Sequence, residues 1–285
     1  MQVNCVLITT KETTLDLFRK NHEDLNEVAS KQDIENMKKE HENHNASLNT
    51  IKSVLDKLKI KYQVVSIAYA HFDEFKNKDL IISVGGDGTA LHTAHYILDN
   101  TPLLAIRSER KSVGALCSIN TDEFDEKLKE IINDKHKTES WTRIEAKIGN
   151  KIDLALNDVF VGVKYNHAVA KYEVEFNGLK EKQIGSGLVV STGAGSTGWY
   201  KNIPGNDGVF PRTSKELKFI TRELEGETKL MKATMKKEDV LEITSLMDID
   251  GILSYDGNTG KRMHAFSRGK KATIRISDKP LTVII

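Results

Sequence analysis

Apolar positions along this chain follow two different rhythms. In the first, short continuous apolar runs alternate with helix-spaced stretches. Val3-Asn4-Cys5-Val6-Leu7-Ile8, Tyr62-Gln63-Val64-Val65-Ser66-Ile67, Leu80 to Val84 and Pro102-Leu103-Leu104-Ala105-Ile106 have the length and residue types of buried strands. Between them, Glu12 to Lys59 is polar and contains no proline or glycine. Leu15, Phe18, Leu25 and Val28 predict one weakly amphipathic helix there, and Leu48, Ile51, Leu55 and Leu58 a clearer one that packs on a sheet. The charged stretch from Lys31 to Asn45 reads as an exposed helix or a mobile loop. Ala90, Leu91, Ala94, Ile97 and Leu98 predict a helix directly after the third strand, and Phe124, Leu128, Ile131 and Ile132 another. This alternation predicts a doubly wound parallel α/β sheet, with a ligand beyond the carboxyl ends of the strands.

From about Trp141 the rhythm shortens. Ile144 to Ile148, Tyr172 to Phe176, Leu241 to Ile243 and Thr273 to Ile276 alternate in character, punctuated by Gly149-Asn150, Asn177-Gly178 and Gly257-Asn258. That is the pattern of a mainly antiparallel β domain. The polar stretch from Lys135 to Ser140 marks the change. The expected organisation is an α/β domain over 1–138 and a β-rich domain over 139–285, whose last strand is free to return to the first domain.

Composition changes this picture little. The chain has 285 residues, 39% hydrophobic and 29% charged, and Lys+Arg 42 against Asp+Glu 41 leaves a net charge of +1. No global field therefore favours nucleic acid or a membrane surface. Cys5 and Cys117 lack metal-ligand spacing, which fits a reducing compartment. No apolar run approaches the ~20 residues of a membrane helix. The N-terminus reads as a strand rather than as a targeting segment, so a cytoplasmic location is expected. His41 and His44 stand at helical spacing but lack an evident third ligand, so a solvated charged face is expected of them rather than a metal site. His92 and His95 are expected as surface or packing residues.

Three segments carry candidate chemistry. In Gly85-Gly86-Asp87-Gly88-Thr89 a buried strand runs through a glycine-rich turn into a helix. Glycine lets backbone N–H groups approach a ligand, and a helix start adds the positive end of its dipole, so the turn is a place to hold phosphate. An aspartate in that position serves a metal, takes a proton from a nucleophile or, in the plainer alternative, caps the helix. Ala155-Leu156-Asn157-Asp158-Val159-Phe160 places an amide and a carboxylate within an apolar stretch; either a ligand satisfies them or they form a turn. From Gly185 to Tyr200 a strand, Leu188 to Ser191, enters a loop dense in glycine and hydroxyl groups, which offers donors to ribose or phosphate.

The first segment resembles the GGDGT signature shared by NAD kinases and diacylglycerol kinases, to which phosphofructokinases are related. Taken in order, the three segments resemble the NAD kinase family. Gly185-Ser186-Gly187-Leu188, Thr192 to Ser196, Trp199, Asn202 and Ile203 are similar to its mitochondrial-type branch, as are Ser112 to Cys117 and Ser254-Tyr255-Asp256-Gly257. Phe219 to Glu223 is similar to the family's hydrophobic-x-x-Arg-Glu segment. The resemblance runs in outline from Leu80 to the C-terminus.

What the resemblance implies is a two-domain enzyme with its active site between the domains, usually a homodimer or larger homo-oligomer. It implies ATP-dependent phosphorylation of the adenosine-ribose 2′-hydroxyl of NAD, with Mg²⁺. Asp87 would accept the hydroxyl proton, and Gly85, Gly86, Gly88 and Thr89 would line the phosphate region. Asn157 and Asp158 would hold the adenosine part of the dinucleotide, and Ser196 and Thr197 would line the same pocket. No resident metal ligand is implied. The chain departs from the family at Ala105-Ile106-Arg107, where Gly-x-Asn is usual, and at Ser186-Gly187, where many members have Asp-Gly. Arg107 either meets a phosphate or blocks the site. Competing readings are a related kinase acting on a lipid or another small hydroxyl compound, and a silent dinucleotide-binding regulator.

Overall fold

The protein is described here from a computed structural model over residues 2–21, 25, 29–109, 115–165, 167–257 and 262–285. Val28, Ser112 to Gly114 and Asn258, which carry sequence expectations, lie outside the described residues. The chain divides into two compact units, Met1–Glu139 with Thr282–Ile285, and Ser140–Leu281.

The first unit is built on the predicted apolar runs. Strands β1 (Cys5–Thr10), β2 (Lys61–Ser66), β3 (Leu80–Gly85) and β4 (Leu103–Arg107) pair in parallel in the order β2-β1-β3-β4. The short β5 (Ile119–Asn120) joins β4, and β6 (Thr138–Trp141) and the chain-terminal β19 (Leu281–Ile284) complete the sheet. Every residue of β3 is buried, as its unbroken apolar run requires of a central parallel strand. Helices α1 (Thr14–Lys20), α2 (Lys31–Lys57), α3 (Asp87–Tyr96) and α4 (Phe124–Ile132) surround it. Ile51, Leu55, Phe124, Leu128 and Ile131 of α2 and α4 share one core with Val6, Ile8, Ile82 and Leu104. Alternation turns Thr9 to the opposite face, where its hydroxyl lies 2.7 Å from that of Thr93 on α3. Helices therefore cover both faces, as a doubly wound sheet demands.

The helices meet some of the sequence expectations and correct others. Of the first amphipathic helix, Leu15 and Phe18 lie on α1, which a Thr13–Asp16 capping box closes, and Leu25 is helical as well. Of the two alternatives for the charged segment from Lys31 to Asn45, the helix is the one formed, as the first half of the 27-residue α2. Helix α3 ends at Tyr96, so Ile97 and Leu98 follow it. His44 is not on a solvated face: it is 2% exposed, with Nε2 2.7 Å from Thr10 Oγ1 and Nδ1 3.1 Å from Ser108 Oγ. Burial pushes its imidazole down to about 4, with nearby Lys11 acting in the same direction. The charged face of α2 hides one histidine that ties the helix to the ends of β1 and β4. His95 packs its ring against Phe72 and Tyr96.

The second unit is antiparallel throughout. One sheet runs β11-β10-β15-β18-β7-β8, the other β14-β13-β12-β9-β16-β17. Their ranges are β7 Ile144–Ile148, β8 Lys151–Ala155, β9 Asp158–Val163, β10 Ala170–Phe176, β11 Leu179–Gly185, β12 Leu188–Ser191 and β13 Leu217–Thr221. The remainder are β14 Lys232–Met235, β15 Leu241–Ser245, β16 Gly251–Tyr255, β17 Met263–Ala265 and β18 Lys271–Ile276. Inward residues of both sheets, among them Ala146, Tyr172, Val174, Ile243, Val161, Val190 and Leu253, form one core. Val189 and Ile220 point the other way and are covered by Tyr200, Ile203 and Phe210. That second cover is why β12 reads as a continuous apolar run in a unit otherwise built by alternation. Among the described residues no helix is long and apolar enough to cross a membrane.

Candidate active site

In the first unit the glycine-rich turn joins β3 to α3. Gly86 is the N-cap residue, in extended backbone, and Asp87 is the first helical residue, so Asp87 is not the cap. The glycines differ in what holds them. A Cβ on Gly85 would drive into the side chain of Thr89, which is buried beneath the turn. Gly85 and Thr89 are thus packed on each other. A Cβ on Gly86 or Gly88 would meet nothing within 4 Å. Gly86 has φ −119° and ψ −167°, which any residue adopts. Neither internal packing at these two positions nor the backbone conformation of Gly86 calls for glycine. What they leave is bare backbone facing open space at a helix start, where N–H groups lack intrahelical partners.

Asp87 holds the loop that follows β4. Its carboxylate accepts N–H bonds from Ala115, 2.8 Å, and Leu116, 2.9 Å. The Cys117 thiol is also hydrogen-bonded to this carboxylate. The Cys117 thiol lies close by and is pushed up to about 12, by burial first and then by the charge of Asp87. Arg107 ends β4 directly across from Gly85, and its guanidinium donates to Asn120 Oδ1 at 3.4 Å. Arg107 also lines an open cleft of about 890 Å³ together with Ser108, Asn120 and the Asp33–Thr50 part of α2. Asp87 and the turn glycines are not in that lining.

In the second unit the amide–carboxylate pair sits at a two-residue turn. Strand β8 ends at Ala155, and β9 begins at Asp158. Of the two local alternatives, the turn is therefore the one formed. The turn is held from far away in sequence. Asp256, buried and in the left-handed region at φ 54°, accepts N–H bonds from Leu156 at 3.1 Å, Asn157 at 2.7 Å and Asp158 at 3.2 Å. Arg262 donates to the same carboxylate at 2.7 Å and also to the Leu154 carbonyl. Asp158 stands 7% exposed, and its carboxyl is pushed up to about 7, by burial first and then by the charge of Asp256, with Arg262 opposing. Among the described residues, Asn157 Oδ1 is buried with no hydrogen-bond partner. An orphaned acceptor in a fully bonded turn is a place for a ligand's donor.

The glycine- and hydroxyl-rich loop is bound to this turn. Thr192 N–H donates to the Asn157 carbonyl at 2.9 Å and Thr192 Oγ1 to the Leu156 carbonyl at 2.5 Å. A Cβ on Gly195 would strike the Asn157 carbonyl, and one on Gly193 the Pro211 carbonyl. Ser196, expected to line the pocket, is fully buried: its hydroxyl donates to Gly193, accepts from Phe210 N–H and closes the loop on itself. Thr197 Oγ1 donates to the Ala194 carbonyl at 3.2 Å. These hydroxyls brace the loop. Asp256 and Arg262 are the residues that sequence reasoning missed in a site role; an aspartate in a Tyr-Asp-Gly turn was the available signal.

Against known proteins, the family model of the ATP-NAD kinase N-terminal domain matches residues 10–136. A probable NADH kinase of Oryza sativa subsp. japonica is 27% identical over 276 residues, covering 85% of this chain and 81% of the relative. The NAD kinase of Thermotoga petrophila is 32% identical over 163 residues, covering 56% of this chain and 61% of the relative. Among solved structures, an NAD kinase from Archaeoglobus fulgidus in complex with ATP superposes with TM-score 0.71 at 19% identity, covering 98% of this chain and 93% of that one. Yeast NADH kinase complexed with NADH gives TM-score 0.69 at 15% identity, covering 100% of this chain and 84% of that one. At such identities the structural likeness speaks for the fold.

Proposed function

Since the chain belongs to the NAD kinase family, we propose that it transfers the γ-phosphoryl group of ATP to the adenosine-ribose 2′-hydroxyl of NAD, giving NADP and ADP. The observation that carries this reading is the placement of Asp87 between two glycines that face open space at the start of α3. The 2′-hydroxyl proton passes to an Asp87 oxygen as the ribose oxygen bonds to phosphorus and the bond to the ADP oxygen breaks. Bare N–H groups at Gly86 and Gly88 and the helix dipole stabilise phosphate charge. The β-rich unit supplies the acceptor's grip: Asn157 Oδ1 takes a donor from the adenosine part, and Asp158 binds beside it. Thr192, Ser196 and Thr197 keep the surrounding loop in shape, and Arg107 places a cation at the end of β4.

Phosphoryl transfer of this kind uses Mg²⁺ carried on the donor's phosphates, where it neutralises charge. Among the described residues no group of three or more His, Cys, Asp or Glu is placed to hold a metal. The chain's own proposed part is to position donor and acceptor. A cytoplasmic homodimer or larger homo-oligomer without nucleic-acid or membrane partners completes the proposal. The test is direct. Purified protein is incubated with ATP, Mg²⁺ and NAD, and product is detected with an NADP-specific dehydrogenase. NADP formation supports the reading. Phosphorylation of a lipid alone, or tight NADP binding without ATP-dependent product, overturns it. A parallel arm with NADH separates the two dinucleotide acceptors.

A further inference from the structure

We propose that an open cleft in the β-rich unit, at the β7–β8 and β17–β18 turns, binds a compact polyanion bearing two or more phosphate groups. The cleft encloses about 880 Å³ and is lined by Lys147, Lys151, Lys270 and Lys271, with no carboxylate in its lining. Beside the cleft, Glu242 stands opposite the lining residue Thr273, and Asp153 is engaged by His264 Nε2 at 2.5 Å. Among the described residues none of the four lysines meets a carboxylate at ion-pair distance, and Lys270 donates to the Ala265 carbonyl. The whole chain is nearly neutral at +1, so this concentration of like charge is local and does not follow from a basic composition.

Edge protection is the ordinary explanation for lysines on a sheet. It accounts for Lys151, since β8 is an edge strand. It does not account for Lys147 and Lys271, which sit on β7 and β18, strands with neighbours on both sides. Gly149 at φ 57° and Gly269 at φ 82° turn the backbone at the cleft, and a Cβ on either would meet nothing within 4 Å. Backbone is thereby accessible beside four ammonium groups, with the Thr273 hydroxyl also in the lining. Isolated lysines gain little from a single charge at the surface, but a ligand that engages several at once gains from each. Two or more phosphates on one small molecule meet that condition; a single carboxylate does not.

The experiment is calorimetric titration of the full chain with inorganic tripolyphosphate at low salt and without Mg²⁺, repeated on K147Q/K271Q. Beside the proposed ATP site, which parent and variant share, the expected result is one further saturable site whose affinity falls at least tenfold in the double variant and weakens steeply with added salt. The melting temperature of the variant should match the parent. Its rate of NADP formation should also be unchanged, because neither lysine is part of the proposed kinase machinery. No saturable binding would overturn the proposal. So would equal affinity in parent and variant, which places the tripolyphosphate elsewhere, or equal affinity for inorganic monophosphate, which marks an adventitious ion only. Binding of an RNA oligomer in the absence of tripolyphosphate binding would assign the patch to another class of partner.

Discussion

A side chain at Gly86 or Gly88 would enter open space, whereas one at Gly193 or Gly195 would collide with backbone carbonyls. The two glycine-rich segments look alike as strings of letters and are built for different reasons. In the α/β unit the exposed glycines of the turn have no packing to satisfy, and the Asp87 carboxylate accepts N–H bonds from Ala115 and Leu116 of a neighbouring loop. In the β-rich unit almost every polar group of the turn and loop is consumed internally, through Asp256, Thr192 and Ser196. Among the described residues of that turn and loop, the Asn157 amide oxygen is buried without a partner. The first segment is shaped to let a ligand in, and the second is braced so that one or two groups stay aimed.

This contrast can be broken at several points. The largest effect is expected from D87N, which removes the proposed base. NADP formation should fall on the order of 10²- to 10⁴-fold, with the fold retained and NAD bound within a few-fold of the parent. A near-parental rate would remove Asp87 from the chemistry. Next comes D256A, which strands the buried Arg262 charge and frees three backbone N–H groups. It should cost about 3–5 kcal/mol in urea denaturation. A loss under about 1 kcal/mol would mean that the turn holds itself.

Acid should act through His44. Its native value of about 4 lies below the ordinary 6.5, so between these values the unfolded chain binds more protons. The stability contributed by neutral His44 is full above pH 6.5 and is lost as pH falls towards 4, by about 3 kcal/mol. Asp158 works in the opposite sense. Its native value of about 7 lies above 3.8, so its contribution is present below pH 3.8 and is lost as pH rises through 7. Comparing the parent with H44Q cancels the Asp158 effect, and the parent's advantage should shrink steadily from pH 6.5 to 4. An advantage independent of pH would show His44 to be solvated. A smaller effect is expected of N157A. Its side-chain oxygen has no internal partner, so melting should hardly move while kcat/KM for NAD falls by up to about tenfold. Early melting with intact kinetics would make Asn157 a structural turn residue.

Legibility in the sequence follows the same divide. The strand, turn and helix around Asp87 were readable because they are contiguous, and the apolar run of β3 announces its burial on both faces. The length of α2 was not readable, because its charged first half has few apolar positions to mark a buried face; Ile34 and His44 carry that burial among charged neighbours. The turn at Asn157 was ambiguous for a different reason. Its partner, Asp256, lies 98 to 100 residues away, and pairing at that separation leaves no periodic trace. Ser196 was expected at a ligand because hydroxyl-rich loops serve ligands, yet its hydroxyl answers to Gly193 and Phe210. Composition marks which groups a loop owns, and only packing decides where they are spent.

The central claim is that glycine at position 86 serves a ligand rather than the fold, and G86A tests it most directly. Its backbone is extended and its surroundings are open, so alanine should leave stability unchanged or raise it by up to about 1 kcal/mol through the unfolded chain. The same methyl group should stand where phosphate approaches the helix start, and kcat/KM for ATP should fall at least tenfold. Unfolding curves and initial rates on one preparation give both values. Retained stability with lost activity is the predicted result. Parental kinetics in the G86A protein would contradict it.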